Sequence, residues 1–130
     1  MSKVIAIDYQ GKYQSATETY FNQEPPVTVN ATRFTPVDLL AAAYGSCLMA
    51  TIDFATKKAG FQAGVVRSEV TYEMAADGLS VGAYTIKIYF SEAHTNAQKE
   101  TIAAATKELC HVGNTINPAI TKTIELVYEP

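Results

Sequence analysis

The stretch Pro36-Val37-Asp38-Leu39-Leu40-Ala41-Ala42-Ala43-Tyr44-Gly45-Ser46-Cys47 opens the longest helical signal in the chain. Pro36 suits a first helical turn, where its missing N–H costs nothing, and Thr35 before it can cap the open backbone donors. From 37 to 59 there is no further proline, and Gly45 is the single interior glycine. Leu40, Tyr44, Cys47, Thr51 and Phe54 recur at alternating spacings of 4 and 3, which places them on one helical stripe. Lys57 and Lys58 suit the negative end of the helix and Gly60 its C-terminal cap. The Ala-rich, almost unbroken apolar character predicts a central, buried helix.

Working outward, the first 30 residues read as strands. Val4-Ile5-Ala6-Ile7 is apolar and β-branched, Gly11 marks a turn, and Tyr13, Thr17, Thr19 and Tyr20 favour pleated backbone. Val27-Thr28-Val29 is a second short strand signal, preceded by a loop around Gln23-Glu24-Pro25-Pro26. Beyond the helix, 65–74 alternates in part, with Val66, Ser68, Val70 and Tyr72 on one face. Ala76-Asp77-Gly78 reads as a turn. In 83–90, Tyr84, Ile86, Ile88 and Phe90 point one way. Thr95-Asn96-Ala97-Gln98 has the spacing of a capping box. Its helix is expected to run to about Cys110 with Ile102, Ala105 and Leu109 inward. A helical turn between Gly113 and Pro118 and a strand over 120–128 close the chain. Strands, long helix, two strands, helix and strand, without regular alternation, predict an α+β fold in one domain, 1–130.

Hydrophobic residues make up 48% of the 130 and charged residues 18%. The first figure excludes intrinsic disorder. The second lies below the usual quarter and hints at apolar surface covered by a partner subunit. A net charge of −3 disfavours a nucleic-acid partner, which calls for a basic footprint. No unbroken apolar run approaches ~18 residues, so no membrane span is expected. The apolar run near the N-terminus is too short for a signal-peptide core, which points to the cytoplasm. The two cysteines, Cys47 and Cys110, are then expected to be free or redox-active.

Motifs for phosphate cradling, serine hydrolysis and zinc proteolysis are lacking, which leaves the cysteines as candidate nucleophiles. Cys47, Cys110, His94 and His111 lack metal-ligand spacing, so no metal is expected. Cys47 reads either as a small apolar residue on the inward face of its helix or as an attacking thiolate. It lies about three turns into that helix, beyond the reach of the N-terminal dipole. A cation favouring its thiolate has to come from elsewhere in the fold or from a partner chain. Cys110 either ends the second helix or sits at the joint before the turn beyond it; at a helix end the potential disfavours a thiolate, which suits a resolving thiol, and plain core packing is the other reading. Both histidines are expected at the surface, and an imidazole at His111 could tune Cys110.

The residues from Pro36 to Cys47 resemble the Pro-x-Asp/Glu-Leu-Leu-x-Ala-Ala-x-x-x-Cys helix of the OsmC-like proteins, which include the osmotically inducible and organic-hydroperoxide-resistance proteins. Cys110-His111-Val112-Gly113-Asn114-Thr115-Ile116 resembles their second motif, Cys-Pro-Val/Ile-x-x-Thr/Ala-Leu/Ile. The separation of the motifs, the chain length and the element order also fit. The resemblance implies antiparallel sheets wrapped around two long central helices in an intertwined homodimer. It implies further that Cys47 attacks a hydroperoxide and becomes a sulfenic acid. Cys110 then condenses with it to a disulfide, which a dithiol of the lipoyl type reduces, with no cofactor. Sulfenic acid plus a nearby thiol does give a disulfide.

Three positions depart from the pattern. Active members carry Glu directly after the helix-starting proline; here Val37 stands there, and the carboxylate is Asp38, about 100° further round the helix. Those members pair that Glu with an N-terminal arginine, whereas the arginines here are Arg33 and Arg67. His111 replaces the proline after the second cysteine. The expected function is therefore cysteine-based reduction of organic hydroperoxides in oxidative-stress defence. Cys47 and Cys110 would be catalytic, with Arg33, Asp38, Tyr44 and His111 as auxiliary candidates. The alternative is a non-enzymatic dimer of the same fold that binds a small ligand or senses redox state.

Overall fold

The computed structural model describes residues 2–18 and 25–128. The expected strand character at Thr19 and Tyr20, and the Gln23-Glu24 part of the loop, lie outside the described residues. The chain divides into two compact units, residues 1–40 and 41–130. In the first unit, β1 (Ile7–Gly11), β2 (Gln14–Thr17) and β3 (Thr28–Asn30) form an antiparallel sheet in that order. The first strand begins at Ile7, three residues later than the apolar run suggests, and Val4 and Ile5 are exposed. β-branched composition favours extended backbone, but a strand also needs a partner edge. Here the β1–β2 pairing starts at Ile7 opposite Thr17.

Helix α1 (Pro36–Lys58) starts and stops where its sequence dictates. Thr35 Oγ1 accepts the Asp38 N–H at 3.1 Å, and the Asp38 carboxylate accepts the Thr35 N–H at 2.9 Å. The two side chains thereby satisfy donors that the first turn leaves open. At the other end Gly60 takes φ +93°. Phe61 N–H bonds to Thr56 O at 3.0 Å and Gly60 N–H to Lys57 O at 3.1 Å. That pair of bonds is a Schellman cap, which needs the left-handed conformation that glycine adopts without cost.

The second unit carries β4 (Val65–Met74), β5 (Val81–Phe90), α2 (Asn96–Glu108), α3 (His111–Thr115) and β6 (Thr121–Val127). β5 is the central strand, with Tyr84, Ile86, Ile88 and Phe90 buried, as their alternation requires. β4 pairs with it antiparallel through the turn at Gly78, and β6 pairs with it parallel. The sheet is therefore mixed rather than wholly antiparallel. The chain leaves the end of β5 through α2 and α3, and such a crossover returns it parallel to the strand it left. Val66 is exposed because the ladder is irregular between Val65 and Arg67.

One face of α1 is buried, not its whole circumference. That face is Ala41, Tyr44, Gly45, Leu48, Ile52 and Thr56. Of the expected stripe, Tyr44 belongs to it, Cys47 and Thr51 lie at its margin, and Leu40 and Phe54 are exposed. By length and mean hydropathy (1.4) α1 meets the criterion for a bilayer span, although no unbroken apolar run suggested it. Its buried face marks it as the core helix of a globular fold, and one such helix indicates no membrane protein.

α2 begins with the expected capping box: Gln98 N–H donates to Thr95 Oγ1, and Thr95 N–H to Gln98 Oε1. It buries Ile102, Ala105 and Thr106 and ends at Glu108. Leu109 is its C-cap and leaves the stripe, 53% exposed. His94, expected at the surface, is part-buried among the rings of Phe61, Phe90 and Tyr128. Its Nε2 lies 2.7 Å from Ala63 O, which ties the start of α2 to the segment after α1. Burial here comes from neighbours distant in sequence, which spacing does not reveal.

Gly45 sets the distance between α1 and β4. A Cβ there would lie 2.7 Å from Ser68 Oγ and 2.9 Å from Val70 Cγ2. Overpacking typically costs ~1–3 kcal/mol, against a helix-propensity gain of ~1 kcal/mol. Gly45→Ala should therefore destabilise the protein by about 1 kcal/mol and lower the thermal midpoint by a few degrees. An unchanged or raised midpoint would show that β4 yields to the methyl group.

Candidate functional site

Four of the sequence-predicted residues come together in the second unit. Cys47 projects from the third turn of α1, and Tyr44 from one turn earlier. Cys110 is the N-cap of α3, with φ −76° and ψ 112°, and His111 is the first residue of that helix. α2 has already ended at Glu108, so Cys110 stands at a helix start and not at a helix end. Its sulfur accepts the Gly113 N–H at 3.3 Å, as a serine or aspartate cap oxygen would. Both cysteines are free thiols; Cys110 is fully buried and Cys47 half-buried.

The two thiols are neighbours close enough to shift each other's acidity. Burial pushes the Cys47 thiol up. Donors outweigh it and hold the thiol below its ordinary range: the Val112 N–H, the Cys110 thiol, the Thr51 hydroxyl and the His111 N–H. Thr51 Oγ1 lies 3.9 Å from the Cys47 sulfur, one helical turn on. Cys110 moves the opposite way. Its burial raises it, and the hydrogen bond and negative charge of Cys47 add to that, against the Gly113 N–H. One thiol is thus set to ionise and the other to stay protonated beside it. Within the described residues the groups that lower Cys47 are neutral donors, two of them amides at the start of α3, where a helix presents unpaired N–H groups.

His111 takes part through its backbone. A proline at this position has no N–H to offer, so His111 supplies a donor that the family pattern lacks. Tyr44 is buried, with its ring edge-on to Tyr84 at 5.5 Å between centroids. Burial, then Cys110, then Tyr84 hold its phenol above the usual value, so it stays neutral. A Cβ on Gly113 would meet Tyr44 Cε1 at 3.1 Å and Cys110 Cβ at 3.5 Å, so this glycine lets α3 sit against the tyrosine. Neither Gly113 nor Thr51 was singled out as a site residue. The only trace of Thr51 in the sequence is its place on the stripe four residues after Cys47.

Arg33 and Asp38 lie in the first unit. Arg33 is exposed on the turn after β3, where its N–H donates to Asn30 Oδ1 at 2.7 Å. The Asp38 carboxylate accepts at the start of α1, as described above. Among the described residues there is no group of three or more His, Cys, Asp or Glu able to hold a metal ion.

Cys47 opens onto a cavity of about 480 Å³ lined by Ala50, Thr51, Phe54, Leu109 and His111. Phe54 and Leu109, both expected in the core, instead form its apolar walls. The volume falls within the range of small-molecule sites.

The amide donors make a direct prediction. Site-resolved alkylation of reduced protein with iodoacetamide should show Cys47 ionising below the ~8.5 of a free cysteine and Cys110 above it. His111→Pro keeps a favourable first helical residue and suits the extended backbone of Cys110, yet deletes one donor. It should slow Cys47 alkylation at pH 7 by roughly two- to tenfold. His111→Ala, which keeps the N–H, should leave the rate unchanged.

The OsmC-like protein family model matches residues 29–125. Comparison with curated protein sequences gives no match. Among solved structures, a Psychrobacter arcticus protein assigned to osmotic stress induction and detoxification response superposes with a TM-score of 0.84 at 23% identity, over 97% of this chain and 96% of that one. An OsmC-like protein from Mycoplasma pneumoniae gives 0.78 at 14% identity, over 100% and 99% of the two chains. The organic hydroperoxide resistance protein OhrB of Bacillus subtilis gives 0.71 at 12% identity, over 95% and 98%. At these identities the structures speak for the fold, and the family match, which spans both cysteine motifs, places this chain in the OsmC-like family.

Proposed function

We infer that this chain serves redox or peroxide-stress chemistry, the direction in which its family membership points. We propose that this chain is a cysteine-based reductase of organic hydroperoxides acting in the cytoplasm. The observation that carries the reading is the pair of neighbouring thiols with opposite acidities, of which Cys47 lines an apolar cavity. The Cys47 thiolate attacks the outer oxygen of R–O–O–H, the O–O bond breaks, and the alkoxide takes a proton to leave as R–OH. Cys47 is then a sulfenic acid. The Cys110 thiol attacks that sulfur, the S–S bond forms, and the hydroxyl leaves as water with the Cys110 proton. An external dithiol, of which a lipoyl group is one, reduces the disulfide and is itself oxidised. A neutral, buried Cys110 survives the first step unreacted, which suits it to the second. Phe54 and Leu109 favour an alkyl or aryl R group over hydrogen peroxide.

We propose also that the protein works as a homodimer. The low charged fraction and the exposure of Phe54 (70%) support this. Sedimentation at micromolar concentration should give twice the 14.1 kDa chain mass. A monomer over that range would overturn the dimer alone.

The chemistry is tested by counting thiols in reduced protein before and after one equivalent of cumene hydroperoxide. Two thiols per chain should vanish within seconds. Cys110→Ser should stall at a sulfenic acid that dimedone traps, and Cys47→Ser should stay inert. Survival of both thiols through minutes of excess peroxide would remove the enzyme reading and leave the ligand-binding or redox-sensing alternative.

A further inference from the structure

The second unit holds another recess, with Tyr44 and Gly113 in its lining and a lining distinct from that of Cys47's cavity. Its volume is about 290 Å³, and its lining includes Tyr44, Lys107, Asn114, Ile116, Lys122 and Ile124. No aspartate or glutamate lines it, although the protein as a whole carries 13 acidic residues against 10 basic. Two of those ten bases therefore converge on one small recess in an acidic protein.

Lys122 is placed there by the fold. Its ammonium lies 3.5 Å from Ile116 O and 3.4 Å from Asn117 O, carbonyls of the segment between α3 and β6. An ammonium has three protons, so two loose bonds to carbonyls leave one for a ligand. The same two bonds hold the side chain in place, which reduces the ordering cost of binding. Lys107, in the last turn of α2, brings the second positive charge. Of the rest of the wall, the Tyr44 ring, Ile116, Pro118 and Ile124 are apolar, and Thr106 and Asn114 add polar groups. Two amines over an apolar floor fit a ligand with one anionic end and a short hydrocarbon body. A bare inorganic anion would leave that floor uncovered.

We infer that this recess is a binding site for a small aliphatic monocarboxylate, separate from the peroxide cavity. The inference stands whether or not Cys47 reduces peroxides. Its carboxylate would lie between Lys107 and Lys122 and its chain against Ile116 and Ile124. Tyr44 and Gly113 both line the recess, and a Cβ on Gly113 would also meet Cys110.

The test is calorimetric titration of the full reduced chain with hexanoate, and with hexanol, hexylammonium and inorganic phosphate as controls. Hexanoate should bind saturably at one site per chain. Hexanol, hexylammonium and phosphate should each bind at least about tenfold more weakly, since each lacks either the charge or the tail. Lys122→Gln and Lys107→Gln should each weaken hexanoate about tenfold while keeping the wild-type thermal midpoint without ligand. Phe54→Ala, in the wall of the other cavity, should leave hexanoate affinity unchanged. Equal binding of hexanol would overturn the inference, because the lysines would then contribute nothing. Equal binding of phosphate would overturn the carboxylate assignment. Loss of hexanoate binding in Phe54→Ala would place the ligand beside Cys47 and overturn the separate site.

Discussion

Two sulfur atoms share the open amides at the start of one short helix, and the acidity of both thiols depends on that sharing. α3 is only five residues long, yet its first N–H groups are directed at both thiols. The Val112 and His111 amides favour the Cys47 thiolate, while the Gly113 amide is taken by Cys110. Burial pushes the Cys110 thiol the other way, and the neighbouring Cys47 adds to it. Different surroundings thus give opposite acidities to chemically identical side chains.

Holding that arrangement requires three elements to meet closely, and small residues permit it. Gly45 lets α1 lie on Ser68 and Val70 of β4, and Gly113 lets α3 lie on Tyr44. The Tyr44 ring, buried and packed edge-on to Tyr84 of β5, ties the helix to the sheet beneath the cysteines. It also forms part of the wall of the recess lined by Lys107 and Lys122. The Schellman cap at Gly60 and the contact of His94 with Ala63 fix the chain that leaves α1. A core held in this way has little freedom to separate the thiols.

Much of the fold was legible because its signals are local. The bounds of α1 follow from Thr35, Pro36, Lys57, Lys58 and Gly60, and the start of α2 from Thr95 and Gln98. The inward face of β5 follows from strict alternation. Where the reading missed, a long-range contact decided. β1 starts at Ile7 because its partner strand does, Leu109 turns out because α2 ends one residue earlier, and His94 is covered by rings from 33 residues before it and 34 after it. The parallel placement of β6 is likewise a property of the crossover and not of its own residues.

The sequence by itself determined the helix that carries Cys47, the two cysteine motifs and hence the family. These are matters of composition and spacing along one chain. The tertiary structure alone decided what sets the acidity of Cys47, because backbone amides 64 and 65 residues away in sequence are invisible to a motif. It also decided that Cys110 caps a helix instead of ending one, and that His111 contributes an N–H. Acidity is set by what surrounds a group in space, and for Cys47 those surroundings exist only when α1 and α3 are packed together.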